Sequence, residues 1–245
     1  KWESRFELKP GKWVFVPTDE TIEQGREIKE LIEKHWKAPS YYYHLRQGGH
    51  VAALKQHLGH TCFIHVDIED FFGSINRSDI TRALKGYFSY EEAREIATES
   101  TVRHPEDAER YILPFGFVQS PILASLCLRK SALGRYLHQL SKQDGVVVSV
   151  YVDDIIISGN DPERLEQVLE DIKAAAEESG FPLNEEKQQG PAETITAFNI
   201  ELSQNSLEIT PERHAEFRDA MQQSTNEHQR EGILGYVRSV NPAQA

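Results

Sequence analysis

Asp67 closes the apolar run Cys62-Phe63-Ile64-His65-Val66, and Asp153-Asp154 interrupts two β-branched runs, Val146 to Val152 and Ile155 to Ser158. Val, Ile and Tyr fit a pleated, buried surface, so these runs read as strands and the Asp pair as the tip of a β-hairpin. Carboxylates set among buried strands cost on the order of several kcal/mol unless compensated. A divalent cation is the cheapest compensation. Strands 86 residues apart in sequence can neighbour one another in an antiparallel sheet, which would bring three carboxylates to one edge. Such hard oxygen ligands suit Mg²⁺, which takes one or two carboxylates plus substrate phosphates. Two such ions activate an attacking hydroxyl and stabilise a leaving oxygen in phosphoryl transfer. The plainer alternative is that Asp67 caps a helix and Asp153-Asp154 forms an ordinary Asx turn.

The elements that must hold these groups follow along the chain. Arg5 to Pro17 predicts two short strands about a Lys9-Pro10-Gly11 turn. Thr18 or Asp19 suits an N-cap, and Glu20 to Trp36 has helical spacing with Ile22, Ile28, Leu31, Ile32 and His35 as its apolar stripe. Pro39 ends that helix. An aromatic, glycine-containing connection, Tyr41 to His50, leads to a helix over Val51 to Leu58. Cys62 to Asp67 reads as a strand. Ser78-Asp79 is expected to cap a helix through Leu84, and Tyr90 to Thr101 is helical. After the loop Leu113 to Pro121, Ser120 is the expected N-cap, with Pro121 at the first position of one helix running towards Leu140. Beyond the central hairpin, Pro162 to Ser179 forms a helix ended by Gly180. Ala197 to Ile209 forms a weak hairpin around Gln204-Asn205-Ser206, and Pro211 to Arg238 is mostly helical. The pattern is α+β, an antiparallel sheet with helices packed on it.

At 245 residues, 39% hydrophobic and 27% charged, the chain reads as one large globular domain or a domain with small appendages. No apolar run approaches the roughly 20 residues that span a bilayer. No apolar h-region follows Lys1-Trp2-Glu3-Ser4-Arg5, so a cytoplasmic protein without membrane partners is expected. The chain opens on Lys1 rather than Met, so native residues can precede it. Cys62 and Cys127 read as reduced core residues. The net charge of -12 departs from the basic footprint of an ordinary nucleic-acid binder. A polynucleotide would need a local basic surface, metal ions or a partner to hold it. His50, His57 and His60 fit no common structural zinc spacing. Tyr41-Tyr42-Tyr43 read as core in preference to a base-stacking platform, and the acidic helix Glu163 to Glu178 as a solvated face.

Four blocks in order resemble motifs of reverse transcriptases: Phe63-Ile64-His65-Val66-Asp67-Ile68-Glu69-Asp70-Phe71-Phe72, Leu113-Pro114-Phe115-Gly116-Phe117-Val118-Gln119-Ser120-Pro121, Tyr151-Val152-Asp153-Asp154, and Gly180-Phe181-Pro182-Leu183-Asn184-Glu185-Glu186-Lys187. The resemblance implies an RNA-directed DNA polymerase built on a right-hand palm, with short fingers and a minimal or absent thumb. The implied divisions are 1–60 fingers-like, 61–190 palm, and 191–245 palm end with a rudimentary thumb-like helical segment. It makes Asp67, Asp153 and Asp154 the ligands of two Mg²⁺ ions, with Mn²⁺ as a substitute. Phe72 matches an aromatic steric gate against the nucleotide sugar, beside its plain reading as a core Phe. Lys187 matches a proton donor to the leaving pyrophosphate, beside its plain reading as a solvated lysine. Lys12 stands where the family usually has a triphosphate-binding Arg; an ammonium pairs with phosphate without the bidentate fork. Tyr151 and Arg46 are expected at the nucleic acid, with Lys9 and Lys55 as weaker basic candidates.

Two departures from the family pattern stand out. Phe115 replaces a usual Gln, and Gln119 stands where Gly or Thr is commoner. Both are expected at the floor of the dNTP and template pocket. Retron-like Asn-Ala-x-x-His and Val-Thr-Gly blocks are absent, which points to small bacterial defence-associated and abortive-infection enzymes. The implied partners are dNTPs, an RNA template or non-coding RNA, and the DNA product. Only 58 residues follow Lys187, so a partner RNA, a partner protein or a homo-oligomer is expected to supply the missing grip. Two rival readings accompany this one: template-independent, protein-primed DNA synthesis, and a non-catalytic palm scaffold in a defence complex. The three intact carboxylates argue against the scaffold.

Overall fold

The computed structural model describes residues 1–9 and 11–245; Pro10, within the expected first turn, lies outside the described residues. Strands β1 (Trp2–Lys9) and β2 (Lys12–Pro17) pair antiparallel. Thr18 caps helix α1 (Asp19–His35), accepting from the Thr21 amide. The buried face of α1 is Thr21, Gly25, Ile28 and Ile32, which corrects the expected stripe: Leu31 and His35 are exposed and Ile22 is half-buried. Helix α2 (Gly49–Lys55) begins two residues earlier than expected and stops short of Leu58. Strand β3 (Cys62–Asp67) is buried throughout.

The cap of α3 (Arg77–Leu84) is Asn76, not Ser78-Asp79. Its side-chain oxygen accepts from the Ser78 and Asp79 amides while the Asp79 carboxylate accepts from the Asn76 amide, a closed capping box. Helix α4 (Tyr90–Glu99) leads into a small hairpin of β4 (Val102–Arg103) and β5 (Tyr111–Ile112). The single helix expected up to Leu140 is two, α5 (Ser120–Lys130) and α6 (Ala132–Leu140). Ser131 breaks it with an extended backbone (φ -73, ψ 170) and caps α6 through the Gly134 amide. Ser120 is not a cap either; its hydroxyl donates to the Pro114 carbonyl at 2.7 Å and closes the preceding loop.

Strands β6 (Val146–Tyr151) and β7 (Asp154–Gly159) form the central hairpin. Helix α7 (Pro162–Ser179) ends at Gly180 in the left-handed region, as its sequence predicts. Then come β8 (Gln189–Ala192), β9 (Thr194–Ala197), β10 (Ile200–Ser203), β11 (Ser206–Ile209), α8 (Pro211–Gln223) and α9 (Glu227–Val240).

The palm-like sheet has the order β6-β7-β3-β8 and is antiparallel. Period-two alternation sends the side chains of β3, β6 and β7 to two faces. Cys62, Ile64, Val66, Val148, Val150, Ile155 and Ile157 face the large core under α3, α5, α6 and α7. Phe63 and Ile156 face a second core made with β9–β11, Val51 and Leu54 of α2, and Val237 and Val240 of α9. Each fully buried Leu, Ile or Phe stabilises by roughly 1.5–3 kcal/mol, so this register is strongly specified. A third small core, Phe15, Val102, Ile112 and Phe117, seats the β1–β2 hairpin on the loop before α5. Among the described residues, no helix is long and apolar enough to cross a membrane.

Candidate active site

The β3–β7 register pairs Asp67 with Asp154, and β6–β7 pairs Tyr151 with Asp154 across a two-residue turn, Val152-Asp153. Val152 sits at φ +59, a left-handed conformation that a β-branched residue adopts only when its surroundings impose it. Three hydrogen bonds impose it here. The Val152 amide donates to His44 Nδ1 at 2.9 Å, the Ile68 amide donates to the Asp153 carbonyl at 2.9 Å, and the Val150 amide to the Tyr41 carbonyl at 2.8 Å. Because Nδ1 accepts, the His44 proton sits on Nε2, which donates to Ser125 Oγ at 2.6 Å; Ser125 in turn donates to the Pro121 carbonyl. Burial lowers the His44 pKa to about 4, keeping that ring neutral.

Carboxylate oxygens of Asp67, Asp153 and Asp154 lie within 4.8 Å of one another. Burial, then the charges of Asp154 and Asp67, push the Asp153 pKa up to about 6. Lys187 supplies one counter-charge: its Nζ is 2.9 Å from Asp67 Oδ2. The loop after α7 delivers it, because the Asn184 amide donates to the Asp67 carbonyl and the Glu69 amide to that of Pro182. Burial pulls the Lys187 pKa down, but its bond to Asp67 and the nearby carboxylates outweigh that and raise it. Asp154 is held from beneath by His65, with Nε2 2.7 Å from Oδ1. Three crowded carboxylates against one ammonium leave excess negative charge on hard oxygen donors, a set that fits Mg²⁺ or Mn²⁺.

Beside the triad lies a cleft lined by Lys12, Asp70, Phe72, His104, Phe115 and Asp153. The Phe72 ring packs 5.7 Å from Phe115, centroid to centroid, and Lys12 Nζ stands 5.4 Å over the Phe115 ring. The structure thus gathers Lys12, Phe72, Phe115 and Lys187 around the aspartates. It does not gather Gln119, expected at the pocket floor. That side chain is 1% exposed, donates to Ser100 Oγ and presses against Gly25 of α1. Arg46 lies elsewhere too, bonded to the Ser40 carbonyl and stacked 5.0 Å over Tyr43. It stands near Val146 to Val148, at the far end of β6 from Asp153. Tyr151 is half-buried in a ring cluster with His44, His50 and Phe198. Tyr41, Tyr42 and Tyr43 are buried core, as expected. His57 spans Ser149 and Ser158, His60 bonds Ser158, and His50 bonds Tyr236. Three residues around the site carried no clear sequence signal: Asp70 in the cleft, His44 against the turn and His65 within β3. Asp70, three residues past Asp67, has φ +42, and burial raises its pKa against the opposing Gly73 amide, His104, Lys12 and Arg110.

A family model described as "Reverse transcriptase (RNA-dependent DNA polymerase)" matches residues 21–222. The chain is 30% identical over 210 residues to the retron Mx65 reverse transcriptase of Myxococcus xanthus, covering 77% of this chain and 48% of that protein. It is 23% identical over 226 residues to the retron Ec86 reverse transcriptase of Escherichia coli, covering 89% of this chain and 68% of that one. The chain therefore spans about half the length of the Mx65 enzyme. Among solved structures, a foamy viral protease-reverse transcriptase in complex with double-stranded DNA aligns with TM-score 0.53 at 19% identity, over 94% of this chain and 34% of that one. A Candida albicans telomerase aligns with TM-score 0.56 at 11% identity, over 90% and 44%. These two likenesses concern the fold. Both of these sequence relatives are retron enzymes, which the chain resembles even though it lacks the two retron-like blocks.

Proposed function

The chain belongs to the reverse transcriptase family, and from that premise we propose that it adds dNTPs to a primer 3′-hydroxyl, copying an RNA template. The observation that carries this reading is the convergence of Asp67, Asp153 and Asp154 within 4.8 Å at the mouth of the Lys12–Phe72 cleft. Asp67, Asp153 and Asp154 would hold two Mg²⁺ ions, which activate the hydroxyl and neutralise phosphate charge when bound. The protein's share of in-line displacement is then mostly positioning and charge. Lys12 pairs with the triphosphate as a single ammonium. Phe72, braced by Phe71 and Phe115, lies against the sugar and leaves no room for a 2′-hydroxyl. Lys187, whose Nζ lies beside the triad at Asp67, would donate a proton to the leaving pyrophosphate. Residues 1–60 act as fingers, 61–190 as palm and 191–245 as palm end with a reduced thumb-like segment; a partner RNA or protein supplies the remaining grip. The setting carried over from the motifs is bacterial antiphage defence.

Primer extension on an RNA template with dNTPs and Mg²⁺ tests this, with Asp153→Asn/Asp154→Asn as the control. Activity unchanged in the double variant would sink the assignment. Phe115 in the cleft, in place of the family's usual Gln, favours one second reading: template-independent, protein-primed synthesis. Product sequence decides, since a copy of added RNA supports the first reading and random or homopolymeric DNA joined to protein supports the second.

A further inference from the structure

His65 lies two residues before Asp67 on β3 and so projects to the same face of the sheet. Its register partner on β7 is Ile156, two residues from Asp154. Diagonal neighbours of this kind are within reach of a ring side chain. The ring is buried, and Nε2 meets Asp154 Oδ1 at 2.7 Å. A carboxylate offers only acceptors, so the His65 proton in this pair sits on Nε2. Nδ1 is buried without a partner. Packing alone gives no reason for an imidazole here, where an apolar side chain would leave no nitrogen unpaired.

Asp67 and Asp154 are therefore held in different ways. Asp67 is paired with a cation, Lys187, that a metal must displace. Asp154 has one oxygen, Oδ1, tied by a buried ring N–H, which fixes the carboxylate's rotation. We propose that His65 is a positioning residue that presents Asp154 to the metal. The inference rests on the metal-dependent reading above. Partners that orient ligating carboxylates are worth about 10–100-fold in metal affinity or activity.

The test is Mn²⁺ binding to the full chain, followed by electron paramagnetic resonance without primer or nucleotide, with thermal melts to verify folding. His65→Leu should weaken Mn²⁺ affinity about 10–100-fold. His65→Gln, whose amide nitrogen reaches as far as Nε2, should restore most of it. In an Asp154→Asn background, His65→Leu should add less than about twofold, because the effect runs through that carboxylate. Primer extension should show the same rise in the Mg²⁺ concentration required. A folded His65→Leu with wild-type Mn²⁺ affinity overturns the proposal. Should His65→Leu not fold, His65→Asn replaces it: its shorter amide falls short of Oδ1, so equal affinity for the Asn and Gln variants also overturns it. Wild-type protein that binds no Mn²⁺ refutes the metal reading itself, a distinct outcome.

Discussion

Burial and the charges of Asp154 and Asp67 push the Asp153 carboxyl up to about 6 from an ordinary 3.8. A carboxyl whose pKa rises on folding stabilises the folded state below its unfolded value and loses that contribution as pH climbs through the folded one. Above pH 6 the metal-free protein therefore carries an electrostatic penalty on the order of 2–3 kcal/mol at this residue. Asp153→Asn removes the charge and keeps the shape. In EDTA at pH 7.5 this variant should have a higher urea midpoint than wild type, and the advantage should fade as pH drops towards 4. Primer extension should meanwhile fall by at least about 100-fold. An Asn variant no more stable than wild type at pH 7.5 would show that the triad is not electrostatically crowded.

Besides the small core around Phe15, a backbone junction fastens the β1–β2 hairpin to the sheet domain. The Phe15 amide donates to the Phe115 carbonyl at 2.9 Å. Gly116, at φ +115, lies so close that a Cβ would run into the Phe15 carbonyl oxygen. Gly116→Ala must strain its own backbone or push the hairpin away, and it should cost about 1–3 kcal/mol. Because Lys12 rides on β2, the KM for dNTP should rise several-fold while the affinity for Mn²⁺ stays level; an unchanged KM and melting temperature would refute this coupling. Elements with strong local chemistry were legible beforehand: the β-branched runs of β6 and β7, and α7 from Pro162 to its end at Gly180. The break at Ser131 was not, since no Pro or Gly marks it and serine serves both sides of the join. Gln189-Gly190-Pro191-Ala192 carries no strand pattern; it becomes β8 only because β3 offers a free edge. The same division holds at the site. The aspartates announce themselves by type and placement, and Lys187 and Phe72 only through the resemblance to reverse transcriptase motifs. The burial of Gln119 depends on Gly25 across a helix interface, and the bonds of His44 and His65 join residues 108 and 89 positions apart.

At the scale of the whole molecule, the two faces of the palm-like sheet do different work. One is sealed by the large helical core; the other carries the aspartates at its edge and the β9–β11 and α9 packing behind them. The α9 contact reaches the site through Tyr236, His50 and Tyr151, so the C-terminal helices brace the β6–β7 hairpin as well as covering a core. Charge limits what this body can hold: 27 basic side chains stand against 39 acidic ones, and the cleft and triad offer Lys12 and Lys187. Each neutralised phosphate of a double-stranded substrate contributes about -0.9 to the slope of log K against log salt. With so few cations at the cleft, binding of an RNA–DNA primer-template by this chain should show a shallow slope, roughly -2 to -4, and modest affinity at physiological salt. Fluorescence anisotropy across a salt series reads this directly. A slope steeper than about -6 would mean that an extended basic surface grips the duplex, and the proposed need for a partner RNA or protein would fall with it.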